Sequence, residues 1–254
     1  MKITILGTGT SQGIPVIGCK CDACVSNDTR DNRLRSCVLI ESQGTNVLID
    51  TGPDLRQQML KSETNQINAI LYTHEHSDHV AGLDDIRPFN FMQRIDMPFY
   101  GLSRVLKDIE YRFAYVFREN PYPGSPKASL NPLTPAKKFS VDKLEIIPIE
   151  VMHGILPILG YRFGDFSFIT DASSLSEKSK NLIRDSKVLI LNALQKEKHY
   201  SHFTLSEAID TIQELGVEKA YITHVSHRMG PSKEWEKELP DNIFPAYDGL
   251  EITL

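Results

Sequence analysis

Apolar residues in this chain fall into short runs separated by Gly, Pro, Asn and Asp. KITIL (2–6) reads as a first strand and is followed by a Gly-rich loop to Gly18. SCVLIE (36–41) and NVLIDTG (46–52) read as a hairpin turning at QGT. PDLRQQML (53–60) predicts a short helix with Pro53 in its first turn, and INAILYT (67–73) a buried strand. KLEIIPIEVMH (143–153), LGYRFGDFSFITDAS (159–173), KVLILNAL (187–194) and EKAYITH (218–224) predict further strand regions. The period changes in FTLSEAIDTIQELG (203–216), where Leu205, Ala208, Ile209, Ile212 and Leu215 recur at helical spacing. Thr204 and Glu207 form a capping-box pattern at its start, and Gly216 stops it. The tail IFPAYDGLEITL reads as a hairpin turning at Asp248–Gly249.

Between Arg87 and about Ser140 the texture differs. Aromatic and basic residues interleave in YRFAYVFRENPYPGSP (111–126), a helix is predicted over 103–109, and Pro121, Pro123 and Pro126 end regular structure. This segment is expected to be an insertion folded over one face. Strands outnumber helices, and hairpin runs flank the helices. The predicted fold is therefore an α/β sandwich with αββα layers, in one domain spanning 1–254 with an insertion at about 87–140.

Bulk properties narrow the function classes. Apolar residues make up 41% of the 254 and charged residues 24%, a globular mixture. No apolar run approaches the roughly 20 residues of a membrane-spanning helix. The start, MKITILGTGT, lacks a signal-peptide pattern, so the cytoplasm is the expected location. The formal net charge is -5, which argues against long nucleic acid as a partner. Gly7, Gly9 and Gly13 do not fit the G-x-G-x-x-G spacing of a dinucleotide loop, and no helical pattern follows them. They suit a tight loop instead.

The chemistry concentrates in LYTHEHSDHV (71–80), which leaves a buried strand with His74, His76, Asp78 and His79. Imidazole and carboxylate suit Zn, Mn or Fe. On a loop with a helix starting near Asp78, these groups could converge on two neighbouring points. Two first-row ions roughly 3.5–4 Å apart need more ligands than this loop supplies. His153, Asp171 and His224 each follow a run that should be buried, and each is a candidate ligand. Asp50, at the end of NVLID, and Asp84 or Asp85 could orient ligands from behind. His202 precedes the clearest helix at a position suited to general acid catalysis, with His199 as its competitor. Cys19, Cys21 and Cys24 can supply three corners of a tetrahedral zinc site, the fourth ligand coming from elsewhere. Cys37, in SCVLI, reads as core.

THEHSDH matches the HxHxDH signature of the metallo-β-lactamase fold. GTGTSQG, THEHSDHVAGLDDIRPF, ITDAS and ITHVSH resemble the branch that contains phosphoribosyl 1,2-cyclic phosphate phosphodiesterases of phosphonate breakdown. The resemblance runs across essentially the whole chain. It implies that His74, His76 and His153 hold one divalent ion, that Asp78, His79 and His224 hold a second, and that Asp171 bridges them. It implies manganese or zinc there, catalytic roles for Asp78, Asp171 and His202, and one structural zinc completed by His227. The implied activity is metal-dependent hydrolysis of a small cyclic phosphate, either phosphoribosyl cyclic phosphate or a cyclic nucleotide. Two cations would activate a shared water and neutralise the phosphoryl oxygens. The competing readings are an RNA-processing nuclease of the same fold, a relative acting in pyrroloquinoline quinone biosynthesis, and a phosphate-binding module without turnover. The expected partner is a small phosphorylated substrate, with a homodimer also compatible; no membrane is expected.

Overall fold

A computed structural model describes all 254 residues. Fourteen strands form two seven-stranded sheets. In the first, β1 (Lys2–Gly7), β2 (Cys37–Ser42), β3 (Thr45–Ile49), β4 (Ala69–Leu71), β5 (Met97–Gly101) and β6 (Ala128–Pro132) lie in chain order. In the second, β7 (Phe139–Val141), β8 (Leu144–His153), β9 (Leu156–Phe163), β10 (Phe166–Ile169), β11 (Val188–Asn192), β12 (Lys219–Thr223) and β13 (Ile243–Pro245) do the same. The last strand, β14 (Leu250–Thr253), returns to the first sheet beside β1.

Both sheets are built alike. Antiparallel pairing runs from β14 through β3 and from β7 through β10. Parallel pairing then runs from β3 to β6 and from β10 to β13. Parallel neighbours need crossover connections, and here these carry helices such as Leu55–Lys61, Ser103–Arg112, Glu177–Arg184 and Leu205–Leu215.

Three apolar layers hold the sandwich together. Between the sheets, Ile3, Ile5, Val38, Ile40 and Val47 meet Tyr161, Phe163, Phe166 and Phe168. Outside the first sheet, Leu39, Leu48, Ile70 and Phe99 pack with Leu55, Val105 and Ile109. Outside the second, Leu189, Leu191 and Ile222 pack with Leu205, Ala208, Ile212 and Trp235. Alternation along the strands sends one set of side chains to the middle layer and the other to the helices. The result is the α/β sandwich that the sequence pattern predicts.

The helix at Leu205–Leu215 has its capping box: Glu207 N–H donates to Thr204 Oγ1 (3.2 Å), and Thr204 N–H donates to Glu207 Oε2 (2.9 Å). Four expectations need correction. The tail is not a hairpin, because β13 and β14 belong to different sheets. The half-buried Asp248 carboxylate holds that crossing by accepting from Thr8 N–H (2.9 Å) and Leu34 N–H (2.6 Å). Residues 87–140 do more than cover a face, since they supply β5, the edge strand β6 of the first sheet and most of the edge strand β7 of the second. Their apolar residues are too few and too interrupted by proline to read as strands without the neighbours that pair with them. Pro53 precedes its helix, which starts at Leu55 after Asp54. A helix at Glu177–Arg184 was not expected; its buried apolar side is little more than Ile183, too small a stripe to mark a period.

Candidate metal centre

β4 delivers the HxHxDH loop. After Thr73 the chain turns into a short helix, Ser77–Val80, with His79 buried and His76 exposed. The turn is locked against the loop after β3: Thr51 N–H donates to His79 O (2.7 Å), and Gly82 N–H to Thr51 O (2.8 Å). A Cβ on Gly52 would lie 2.2 Å from the Asp78 carbonyl oxygen, so only glycine permits this approach.

The other three candidates come from ends of second-sheet strands. His153 closes β8, Asp171 lies two residues beyond β10, and His224 follows β12 directly. Asp171 and His224 have left-handed backbones (φ 57° and 56°), as does Asp50 at the end of β3 (φ 64°). Such conformations cost non-glycine residues roughly 1–2 kcal/mol each. Here they turn each side chain out of its ladder toward the shared edge.

The predicted residues converge. His74, His76 and His153 bring ligand atoms within 4.8 Å of one another, and so do Asp78, His79, Asp171 and His224. Asp171 is central: its Oδ2 is 3.3 Å from His79 Nε2, and its Oδ1 is 3.1 Å from both His224 Nε2 and His202 Nε2. Asp78 Oδ2 also lies 3.3 Å from His79 Nε2. His74 and His153 rings are 5.5 Å apart between centroids, which brings the first and second halves of the chain together at one site.

The outward nitrogens are held by protein oxygens. His79 Nδ1–H donates to Asp50 Oδ2 (2.6 Å), and His153 Nδ1–H to Ser201 O (2.8 Å). Thr73 Oγ1 donates to Asp50 Oδ2 (2.8 Å) and contacts His74 Nδ1 (3.0 Å). Thr170 Oγ1 repeats this in the second half, donating to Asp171 Oδ2 (2.6 Å) and contacting His224 Nδ1 (3.3 Å). Fixing Nδ1 aims Nε2 inward, the arrangement that orients imidazole as a ligand.

Electrostatics single out the same groups. Burial holds the His74 imidazole well below its ordinary value and pushes His224 down to about 4, so both are neutral near pH 7. Burial also opposes charge on His79, but Asp78, Asp171 and Asp50 outweigh it and raise that imidazole well above its usual range. Burial works against the Asp171 anion too, and His224 and His79 overcome it, holding its carboxyl well below the carboxylate range. His74 Nε2 and His79 Nε2 are buried without a hydrogen-bond partner. Buried polar atoms of this kind are rare because they forfeit hydration. With carboxylates beside them, they form a donor set that fits divalent cations of the Zn or Mn type.

His202 lies at the edge of this cluster with His153 and Asp171. His199 belongs to none of the ligand groups and instead meets the far side of His202, Nδ1 to Nδ1 at 3.1 Å. Of the acids expected behind the ligands, Asp50 contacts one, whereas Asp84 pairs with Arg87 and Tyr115. Thr73, Thr170 and the Ser201 carbonyl were missed. The recurrent threonine just before the ligand in YTH, ITD and ITH was the available signal for two of them.

A second centre forms where the loop after β1 crosses the segment after β12. Cys19 Sγ and Cys21 Sγ lie 3.3 and 3.4 Å from His227 Nδ1, and Cys24 completes a four-residue group. Burial pushes the Cys24 thiol up to about 11, so a cation would be needed to hold it as thiolate at neutral pH. Val225 N–H donates to Thr8 O (2.9 Å) and Thr10 N–H to Val225 O (3.2 Å), fixing this loop beside His224. A Cβ on Gly7 would lie 1.9 Å from Arg35 O, the close approach that the Gly-rich stretch serves. Cys37 is buried, as expected of a core residue.

Comparison with known proteins gives the lineage. The Beta-lactamase superfamily domain matches residues 45–225. A crystal structure described as a new diphosphatase from the PhnP family is 36% identical, with a TM-score of 0.92 over 99% of this chain and 96% of that one. Zn(2+)-bound PqqB from Methylobacterium extorquens shares the fold at 16% identity, with a TM-score of 0.80 over the full length of both chains. A curated relative from Porphyromonas gingivalis, named octanoyltransferase, is 40% identical over all of this chain, which spans only about half (52%) of that relative's length. No helix is long and apolar enough to cross a membrane. The chain belongs to the β-lactamase superfamily and, within it, to the PhnP family.

Proposed function

We propose that this chain is a metal-dependent phosphodiesterase acting on a small cyclic phosphate. The observation that carries this reading is the placing of one carboxylate: Asp171 clusters with Asp78, His79 and His224 and also with His153 of the His74–His76–His153 group, while His74 Nε2 and His79 Nε2 are buried without a hydrogen bond. In this reading each group holds one divalent cation. The cations would supply charge neutralisation at the phosphoryl oxygens and acidify a water.

The protein's own residues do the rest. Asp171 fixes the separation of the two groups, and the Asp50, Thr73, Thr170 and Ser201 oxygens hold the imidazoles at set angles. Asp78 contributes a second carboxylate, beside His79 Nε2. His202, at the mouth of a polar cavity, carries the proton that the leaving oxygen needs. The Cys19–Cys21–Cys24–His227 group would take a structural zinc and clamp the Gly-rich loop to the His224 segment. The small-substrate assignment is supported by the net charge of -5, which disfavours a long polyanion.

The test is turnover by protein loaded with Mn or Zn, first of bis-(p-nitrophenyl) phosphate and then of cyclic sugar phosphates. Hydrolysis of both, lost in Asp171→Ala, is expected. Metal-loaded protein that hydrolyses neither would sink the proposal, and strongly salt-dependent tRNA binding would shift it toward the nuclease reading.

A further inference from the structure

The His202 ring is held on several sides. It stacks on His224 (centroids 5.2 Å apart, planes 14° apart) and meets His153 edge to face (4.6 Å, 69°). Its Nε2 lies 3.1 Å from Asp171 Oδ1, facing the ligand cluster. Its Nδ1 points the other way, to His199 Nδ1 at 3.1 Å and to Ser201 Oγ at 3.1 Å. Two ring nitrogens face each other there, and a hydrogen bond between them needs one N–H and one lone pair.

The neighbours decide the roles. The Ser201 backbone N–H also points at His199 Nδ1 (3.4 Å). A backbone N–H only donates, so His199 Nδ1 carries the lone pair and that ring's proton is on Nε2. Burial, then His202 and Arg228, hold the His199 imidazole below its ordinary value, so it is neutral near pH 7 and free to accept. His202 Nδ1 is therefore the donor, directly or through Ser201 Oγ, which lies 3.3 Å from His199 Nδ1. The backbone around the pair is fixed: Ser201 is buried, its carbonyl accepts from His153 Nδ1–H (2.8 Å), and Phe203 N–H donates to Ala172 O (2.8 Å), next to Asp171. His199 itself is half-buried and belongs to none of the ligand groups, so its route to the reacting atoms runs through His202.

This tautomer suits a proton donor. A charged His202 has N–H groups on both nitrogens. Giving the Nε2 proton to the leaving oxygen breaks that N–H bond and forms an O–H bond. The ring left behind is neutral, with its Nδ1–H still bonded to His199, and no second proton has to move. Without an acceptor at Nδ1 the neutral ring is free to settle in the other tautomer. A fixed acceptor behind a catalytic imidazole prevents that, as the carboxylate of a Ser-His-Asp triad does.

We propose that His199 is a positioning residue of this site, whose Nδ1 lone pair fixes His202 in the Nδ1–H form with Nε2 turned to the reacting atoms. Its part in turnover rests on the phosphodiesterase reading, but the proton positions can be measured without turnover. Zinc-loaded wild type, His199→Ala and His199→Asn would be compared, because an asparagine carbonyl oxygen can stand where Nδ1 stands. In spectra of protein carrying ¹⁵N-histidine at about pH 8, the His202 signals are identified by their loss in His202→Ala. Wild type should carry the His202 proton on Nδ1, His199→Ala should show the Nε2–H form or a mixture, and His199→Asn should restore the wild-type pattern. On a 2',3'-cyclic nucleotide, His199→Ala should lower kcat roughly 10–100-fold, with KM within about twofold and bound metal unchanged. The loss should be about fivefold smaller on bis-(p-nitrophenyl) phosphate, whose leaving group needs little protonation, and His199→Asn should recover most of it. In a His202→Ala background, His199→Ala should cost nothing further. Full kcat in His199→Ala, an equal loss on both substrates, or a further loss in the His202→Ala background overturns the role. If no diester is hydrolysed, the phosphodiesterase reading fails separately, and the spectra decide. A His202 ring that changes form in His199→Ala and regains it in His199→Asn supports the assignment, whereas a wild type with the proton on Nε2, or a form indifferent to His199, refutes it.

Discussion

The two halves of this molecule share an architecture but deliver their ligands differently. Each sheet begins as an antiparallel meander and ends in parallel strands. The first sheet offers His74, His76, Asp78 and His79 within six positions after β4. There a single local turn sets their relative placement. The second offers His153, Asp171 and His224 from the ends of three different strands. Their convergence depends on the register Ile169↔Leu191↔Ile222, which brings β10 and β12 to a common edge on either side of β11. A slip of one residue would turn a whole strand's side chains to the other face. The lesson is that one half encodes its chemistry locally, while the other encodes it in strand pairing and in two left-handed residues at strand exits.

The hardest blow to this arrangement should come at Asp171, which clusters with Asp78, His79 and His224 and also with His153 and His202. Asp171→Asn should lower kcat on the order of a thousandfold or more and reduce bound divalent metal, read by elemental analysis alongside kinetics. Retention of full activity would show that the two groups do not work as one site. His202→Ala should cost roughly 10²–10⁴-fold in kcat on a cyclic phosphate while metal content stays near wild type. The loss should be smaller on bis-(p-nitrophenyl) phosphate, whose leaving group needs little protonation. An equal loss on both substrates would count against proton donation.

Asp50 is the first half's anchor, touching His79 directly and His74 through Thr73. Asp50→Asn should weaken metal affinity by roughly 10–100-fold, measured by chelator competition. Unchanged affinity would mean that the local turn alone orients these histidines.

The smallest effect concerns the seam where the chain crosses between the sheets. Burial pushes the Asp248 carboxyl up to about 6, against the pull of the Leu34 and Thr8 hydrogen bonds. With the folded value above the unfolded one, the native state holds more protons than the unfolded chain between these values. The stability from this group is therefore present below about pH 4 and lost as pH rises through about 6. Denaturant unfolding at pH 4.5 and 7.5 should show this component, on the order of 2 kcal/mol, in wild type and not in Asp248→Asn. Identical pH profiles would remove Asp248 as its source.

Much of the site is legible in the sequence. HxHxDH is dense enough to stand out because all its members share one turn, and CxCxxC does so for the same reason. His153, Asp171 and His224 were readable as polar groups ending buried runs, but their pairing came from family resemblance and their meeting point from the fold. Asp84 looked as promising as Asp50 on paper. The structure engages Asp84 with Arg87 and Tyr115 instead, because the helix after Gly82 carries it away from the ligands. The tail shows the same limit: Asp248–Gly249 has hairpin composition, yet its flanking strands pair with different sheets.

Local chemistry therefore settled which residue types are present, where the layers' apolar faces lie and which loop carries the dense ligand motif, since each depends on neighbours within a few positions. Only tertiary packing decided that β10 and β12 end at the same edge as β4, that Ser201 holds His153, and that Cys19 and Cys21 meet His227. Those outcomes rest on contacts between segments remote in the chain, and no short stretch of sequence contains both partners.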